Sequence, residues 1–323
     1  MFRRITTSGT ALLAGAVIVV LLGPASGSVR LAPHASAQRR ALADVHVIAH
    51  RGASAYAPEN TLAAVRVAAD LGAEWVENDV QRTKDGRLVV IHDTTLRRTT
   101  DVEQRYPDRS PWRVGDFTLA EIARLDAGSW FGEAYRGERV PTLEQYLDLV
   151  SRTGQKLLLE IKAPELYPGI EEDTLKVLQD TGWLTADRLR DDLVIQSFSA
   201  DSIATVHRLD PRVRTGFLGS PKPADLPAYA RFSDQINPPR HSVTAQYMAS
   251  IHSLKGPHGK PLRAWVWTID DPAVAKEMVD AGVDGIISNQ PDTVLGGMGR
   301  AAGAPPAPYA LGGWAVNRVL SRH

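Results

Sequence analysis

The chain has 323 residues, 43% hydrophobic and 23% charged, with 37 basic residues against 37 acidic and no cysteine. A formal net charge of zero, with no basic stripe and no aromatic-basic interleaving, argues against a nucleic-acid surface. The lack of cysteine excludes disulfides, thiolate catalysis, Cys-based zinc sites and a lipoprotein anchor; the length suits one large α/β domain whose core must carry its stability alone.

The first 37 residues read as an export signal. Arg3 and Arg4 precede an apolar stretch over residues 11–22, then Gly23-Pro24 and small-residue cleavage sites at Ala25-Ser26-Gly27 or Ala35-Ser36-Ala37. The apolar stretch, about 12 residues, falls short of the ~20 needed to span a bilayer. Cleavage rather than anchoring is expected, with the protein secreted or held in the cell envelope or periplasm. Cleavage after Ala37 removes Arg3, Arg4 and Arg30 and no acid. No later segment is long and apolar enough to span.

From Val45 onward, β-rich runs alternate with helical patterns. VHVIA (45–49) is followed by a helical pattern over 62–71. WVENDV (75–80) and LVVIHD (88–93) come next, too close together for a crossover helix. Asp85-Gly86 between them predicts a hairpin or bent strand pair. Beyond a helical pattern at 143–152 lies KLLLEIK (156–162), then a helix at 170–181, DLVIQSF (192–198), a helix at 201–209, VRTGFLG (213–219) and a weak run near FSDQIN (232–237). A helix at 243–254, LRAWVWTI (262–269), a helix at 272–281 and VDGIIS (283–288) complete the series. Asp271-Pro272 has the chemistry of a helix start, and Gly72 and Gly282 sit where helices end in a left-handed residue.

Strand-helix alternation with doubly buried strands implies a parallel sheet. About eight such units over residues 45–295 suit a (β/α)8 TIM barrel, with a doubly wound sheet as the alternative. Residues 94–141 are too long for a loop and are expected to form a small inserted subdomain after the second strand region. Residues 296–323 read as a Gly/Ala/Pro-rich C-terminal tail.

The strand ends carry the chemistry. They supply His50 and Arg51, Glu77 and Asp79, His92 and Asp93, Glu160 and Lys162, Gln196-Ser197-Phe198, Asn237, and Trp265 and Trp267. Spacing of two on a strand puts Glu77 with Asp79, and Glu160 with Lys162, on one face. Alone, each has an ordinary explanation: a satisfied structural histidine, a solvated acidic edge, an ion pair, a packed tryptophan. Together they are charges at the ends of runs that should be buried, and buried charge is costly unless paired or metal-bound. Glu77, Asp79 and Glu160 offer only oxygen, which suits a hard divalent cation, Mg²⁺ or Ca²⁺, and not zinc. His50 and His92 can act as acid and base near neutral pH. Arg51 and Lys162 can clamp a phosphate. The set describes cleavage of a phosphate ester.

At HRGASAYAPENT, WVENDVQRTKDGRLVVIHD, LLLEIK, QSF, WVWT and VDGIISNQPD the sequence resembles the glycerophosphodiester phosphodiesterases. The resemblance covers residues 45–295, including LDAGSWF and VPTLEQ of the insertion. It implies a TIM barrel with His50 and His92 as the acid-base pair, Glu77, Asp79 and Glu160 as ligands of one divalent cation, Arg51 and Lys162 at the phosphate, and Trp267 lining the alcohol-side pocket. Asn78 and Asp270 depart from it, where the family often has an apolar residue and Asn; neither is a metal or acid-base position.

The expected reaction is hydrolysis of a glycerophosphodiester to sn-glycerol 3-phosphate and an alcohol, by water or by the glycerol 2-hydroxyl through a cyclic phosphate, with His50 preferred as base and His92 as acid, an order the sequence does not decide. One alternative keeps the site but takes lysophospholipid or phospholipid, with the insertion in transient contact with a lipid surface. A non-enzymatic alternative is an exported phosphodiester-binding barrel. In the opening motif, Gly52 is expected to let the backbone approach the substrate, Asn60 to cap the following helix, and Glu59 to orient the loop. His46, His207, His241, His252 and His258 read as structural or solvated.

Overall fold

The computed structural model describes residues 44–306; the expected export segment and residues 307–323 of the tail lie outside them. Nine strands form one sheet: β1 (His46–Ala49), β2 (Trp75–Arg82), β3 (Leu88–Val90), β4 (Lys156–Ile161), β5 (Leu193–Ser197), β6 (Arg214–Leu218), β7 (Gln235–Asn237), β8 (Trp265–Val266) and β9 (Gly285–Ser288). Eight run in the order β7-β6-β5-β4-β2-β1-β9-β8, with parallel neighbours throughout. Parallel bridges Gln235–Arg263 and Pro239–Trp267 join β7 to β8, so the sheet closes into a barrel. β3 pairs antiparallel with the far end of β2, as the Asp-Gly turn predicts.

Alternation along the strands divides the core. Outward residues such as Val76, Val80, Leu157, Leu159 and Ile195 pack against Leu147, Val150 and Leu178 of the surrounding helices. Val47, Ile236, Val266 and Ile286 do the same on the other half, against Met248, Ile251 and Val279. Inward residues Ile48, Trp75, Leu158, Val194, Trp265 and Ile287 fill the lower barrel. Trp75 and Trp265 meet edge to face at 4.9 Å, and His46 stacks its edge on both.

The helices at Leu62–Asp70, Leu143–Thr153, Ile170–Asp180, Ala200–Leu209, Ala245–His252 and Pro272–Asp280 fall where the periodicity predicts them. The caps are legible too. Asp271 accepts from the amides of Ala273 and Val274, and Gly72 and Gly282 have φ of 83° and 100°. Three short helices were not foreseen: Ala186–Asp191, Leu226–Tyr229 and Pro291–Gly297.

Residues 94–141 carry two four-residue helices, Val102–Arg105 and Leu119–Ile122, with several 3-10 turns. Leu96, Val102, Val114, Phe117, Ile122 and Leu125 form their own buried cluster against Val89 and Ile91. Arg109 lies over Phe117, 3.8 Å from the ring centre. Phe117 is thus a packing residue.

Candidate active site

β2 is the backbone of the site. Its register with β4 sets Asp79 beside Glu160, and the pleat turns Glu77, Asp79 and Glu160 to the same interior. One carboxylate oxygen from each lies within 4.8 Å of the others, and all three side chains are buried. Asp79 Oδ1 is buried without a hydrogen-bond partner. Three buried carboxylates around an unsatisfied oxygen fit a hard divalent cation held by oxygen donors.

Their electrostatics differ sharply. Burial raises Glu77 well above the usual carboxylate range, and Asp79 and Glu160 add to the shift. Burial and Asp79 push Glu160 up to about 7. Asp79 is buried as well, but the charges of His92, Arg51 and Lys162 and a bond from Asn60 outweigh burial and hold it below its usual value. Lys162 Nζ donates to Glu160 at 2.9 Å and lies 3.7 Å from Asp79 Oδ1.

Arg51 is more committed than the sequence implies. Its amide donates to Glu77 Oε2 at 2.8 Å. Its Nη1 donates to Glu59 at 3.0 Å, and Nε lies 3.4 Å from Asp79. The residue adopts φ of 55°, a conformation uncommon outside glycine, which turns amide and guanidinium toward carboxylates together.

The two histidines are held from behind in different ways. His50 Nδ1 lies 2.7 Å from Asn289 Oδ1. Asp270 fixes that amide, accepting from Asn289 Nδ2 at 2.8 Å and from its backbone N–H at 2.7 Å. Asn289 Oδ1 is therefore the acceptor, Nδ1 of His50 carries the proton, and Nε2 keeps its lone pair. Burial and the neighbouring Arg51 push His50 down to about 3, so the ring is neutral at ordinary pH. His92 Nδ1 instead meets the Asp93 carboxylate at 2.8 Å, a charge partner for the protonated ring. The His92 charge acts on both Asp79 and His50, which puts the two rings and the carboxylates in one electrostatic unit.

Trp267 donates its indole N–H to the Asn237 carbonyl at 2.8 Å and packs edge to face on Phe198 at 5.5 Å. Lys162 Nζ lies 5.3 Å from the centre of that ring. A cavity of about 290 Å³ opens there, lined by Glu160, Lys162, Pro164, Glu165, Ser197 and Phe198.

Several supporting residues were missed or misread. Asn60 does not cap the helix. Thr61 is the N-cap, accepting from the Ala64 amide, while Asn60, at φ 60°, donates Nδ2 to Asp79 at 2.8 Å. Gly52 is also needed for packing: a Cβ there would lie 2.6 Å from that of Ala64, and φ is +80°. Arg98 joins Glu59 to Asp93 through bonds of 2.7 and 2.8 Å to the former and 2.7 and 3.0 Å to the latter. Arg51, Glu59, Arg98, Asp93 and His92 thus form one chain. Burial raises Glu59, but the two arginines outweigh it and leave its carboxyl below the usual range. Gln81 Nε2 faces the carbonyls of Ile91, His92 and Asp93 at 2.7–3.0 Å, fixing the turn that presents His92.

The model of the glycerophosphoryl diester phosphodiesterase family matches residues 50–293. A glycerophosphodiester phosphodiesterase of Caldanaerobacter subterraneus subsp. tengcongensis is 38% identical over 259 residues, 77% of this chain and 96% of the relative. One from Bacillus subtilis is 36% identical over 76% of this chain and 83% of its own. Among solved structures, an Oleispira antarctica phosphodiesterase in complex with the product sn-glycerol-3-phosphate superposes with a TM-score of 0.65 at 29% identity, over 80% of this chain and 99% of that one. On a match over three quarters of its length, the chain belongs to the glycerophosphoryl diester phosphodiesterase family.

Proposed function

We propose that the protein hydrolyses glycerophosphodiesters to sn-glycerol 3-phosphate and an alcohol. The observation that carries this reading is the buried carboxylate cluster, within 4.8 Å, coupled electrostatically to two histidines whose Nδ1 atoms are each held by an oxygen. The product-bound Oleispira antarctica relative supports it. Glu77, Asp79 and Glu160 would hold Ca²⁺ or Mg²⁺, which when bound neutralises charge on the phosphoryl oxygens. Lys162 adds a point charge beside them. His50 Nε2 takes the proton of the attacking hydroxyl: water gives sn-glycerol 3-phosphate directly, whereas the glycerol 2-hydroxyl gives a 2,3-cyclic phosphate, which a water deprotonated by His92 then opens as His50 returns its proton to the 2-oxygen. As the bond from phosphorus to the alcohol oxygen breaks, protonated His92 returns a proton to that oxygen. Asn289 supplies no charge behind His50, whereas Asp93 supplies one behind His92, and this difference supports His50 as base and His92 as acid. Trp267 and Phe198 border the alcohol side.

Turnover of glycerophosphocholine, followed by release of sn-glycerol 3-phosphate, tests the reading. Chelation by EDTA should abolish it, and full activity in chelator would remove the metal. His50→Ala and His92→Ala should each lower kcat by about 10²–10⁴; parental rates would remove the acid-base pair.

A second reading draws on two exposed apolar side chains, Leu166 at 52% and Phe198 at 50% exposure, on the loops after β4 and β5. They would suit contact with a lipid surface and lysophospholipid as substrate. Faster turnover of lysophospholipid micelles than of glycerophosphocholine would favour it. We also propose export through the first 37 residues, supported by Arg3, Arg4 and the apolar stretch behind them; sequencing the N-terminus of the chain recovered outside the cytoplasm tests this.

A further inference from the structure

The opposite end of the barrel holds a basic cavity. It measures about 260 Å³ and lies among the lower ends of β5, β6, β7 and β8. Arg190, Arg214, Lys260 and Arg263 line it, with Asp234 as the lining acid. That acid is already engaged: Oδ1 meets His258 Nδ1 at 2.8 Å and Oδ2 accepts from the Thr215 amide at 3.1 Å. Arg190 pairs with the exposed Asp187 at 3.0 Å.

Arg214 is the anomaly. Its side chain is 14% exposed, and its nearest carboxylate, Asp191, is 3.9 Å from Nη1. Its Nε and Nη2 are buried with no hydrogen-bond partner among the described residues. A buried guanidinium without partners is costly, and four cations sharing one cavity focus field on whatever enters it. Burial presses Arg214 below its usual value, as expected for a charge without sufficient compensation.

We propose that this cavity is a binding site for a phosphate-bearing dianion, separate from the catalytic mouth. A carboxylate would satisfy the fork of one arginine. A tetrahedral dianion has oxygens enough for Arg214, Arg263 and Lys260 together. The cavity is smaller than those that hold drug-sized ligands, which limits the occupant to phosphate or a small phosphate monoester. Arg214 begins β6 and the mouth lies past its other end, so the two sites stand apart by at least the strand, on the order of 13 Å.

Crystals of the full chain soaked in tungstate, a heavy tetrahedral dianion, should show an anomalous peak beside Arg214 and Arg263. In solution, calorimetry with inorganic phosphate is best done on Lys162→Met in EDTA, where the mouth is blunted. Binding should persist there, and Arg214→Gln or Arg263→Gln in that background should weaken it at least tenfold while the circular-dichroism spectrum is kept. Arg263 is exposed, so its replacement tests the site even if Arg214→Gln fails to fold. An empty cavity in the crystal overturns the proposal, as does phosphate binding that the folded glutamine variants leave intact. A crystal peak with no arginine-dependent binding in solution marks an adventitious ion only and overturns it as well.

Discussion

The floor and the mouth of the barrel are built from the same strands and do opposite things. Along the inner face of β2, Trp75 is followed by Glu77 and Asp79; on β4, Leu158 by Glu160; on β5, Val194 by Gln196; and Trp265 of β8 by Trp267, just past the strand's end. The lower members form a packed apolar plug. Among the upper members, Glu77, Asp79 and Glu160 hold buried charge. The plug closes the barrel to water from below, so the carboxylates above it sit in low dielectric. Burial is accordingly the largest influence on Glu77, on Glu160 and on His50. Floor residues should therefore govern stability and mouth residues chemistry.

The largest effect expected is at the mouth. Glu77→Gln should lower kcat by about 10³ or more, the scale of losing a group that organises transition-state charge, while thermal stability without metal holds or rises. A Tm falling in step with activity would break the distinction. At the floor, Trp265→Ala should cost about 3–5 kcal/mol, as large-to-small core changes do, with kcat nearly unchanged where the variant stays folded; urea titration and kinetics together check this. pH separates the ends again. Glu160 binds a proton in the folded state up to about 7 but releases it near 4.5 when unfolded. Stability of the metal-free chain should thus fall as pH rises through that window, an effect reduced in Glu160→Gln, where the raised Glu77 keeps its own share, and reversed by saturating Ca²⁺ or Mg²⁺. His50, depressed to about 3, acts oppositely, with stability rising from about 3 to 6.5 in both chains, so the difference between chains isolates Glu160.

Two smaller effects sharpen the comparison. Asn78 lies on the outer face of β2, fully buried, with neither amide atom hydrogen-bonded among the described residues. Asn78→Val should stabilise by about 1–2 kcal/mol, because it removes an unsatisfied buried amide, without altering kcat. Asp270→Ala should reduce kcat about tenfold, the scale of losing a supporting bond behind a site, and leave KM largely intact. Unchanged kcat would show that Asn289 holds His50 unaided.

The strands were legible because buried parallel strands must be apolar, and the carboxylates because charges interrupt those runs at a spacing of two. What pairs across distance was not. Nothing local in Asp270 points to Asn289, or in Arg98 to Glu59, 39 residues away; folding makes those neighbours. Asn60 reads as a helix cap by residue type, but its left-handed backbone turns the amide to Asp79 and leaves capping to Thr61. The run at 88–93 ends as a strand at Val90 because Gln81 takes over the next carbonyls. The run at 262–269 keeps two ladder residues, since its outer partner is joined by bridges rather than a ladder.

That last point gives the barrel a grain. β2 and β4 are laced by six register pairs, whereas β7 and β8 are fastened by isolated bridges and by Asn237, whose side chain accepts the Trp265 amide and whose carbonyl accepts the Trp267 indole. We predict that thermal breathing follows this grain, with the amides of Ile236 and Arg263 exchanging hydrogen before those of β2. Equal exchange rates around the ring would refute it. The carboxylate wall would then be the fixed jaw of a vise, and the tryptophan side the jaw that yields to an alcohol of awkward size.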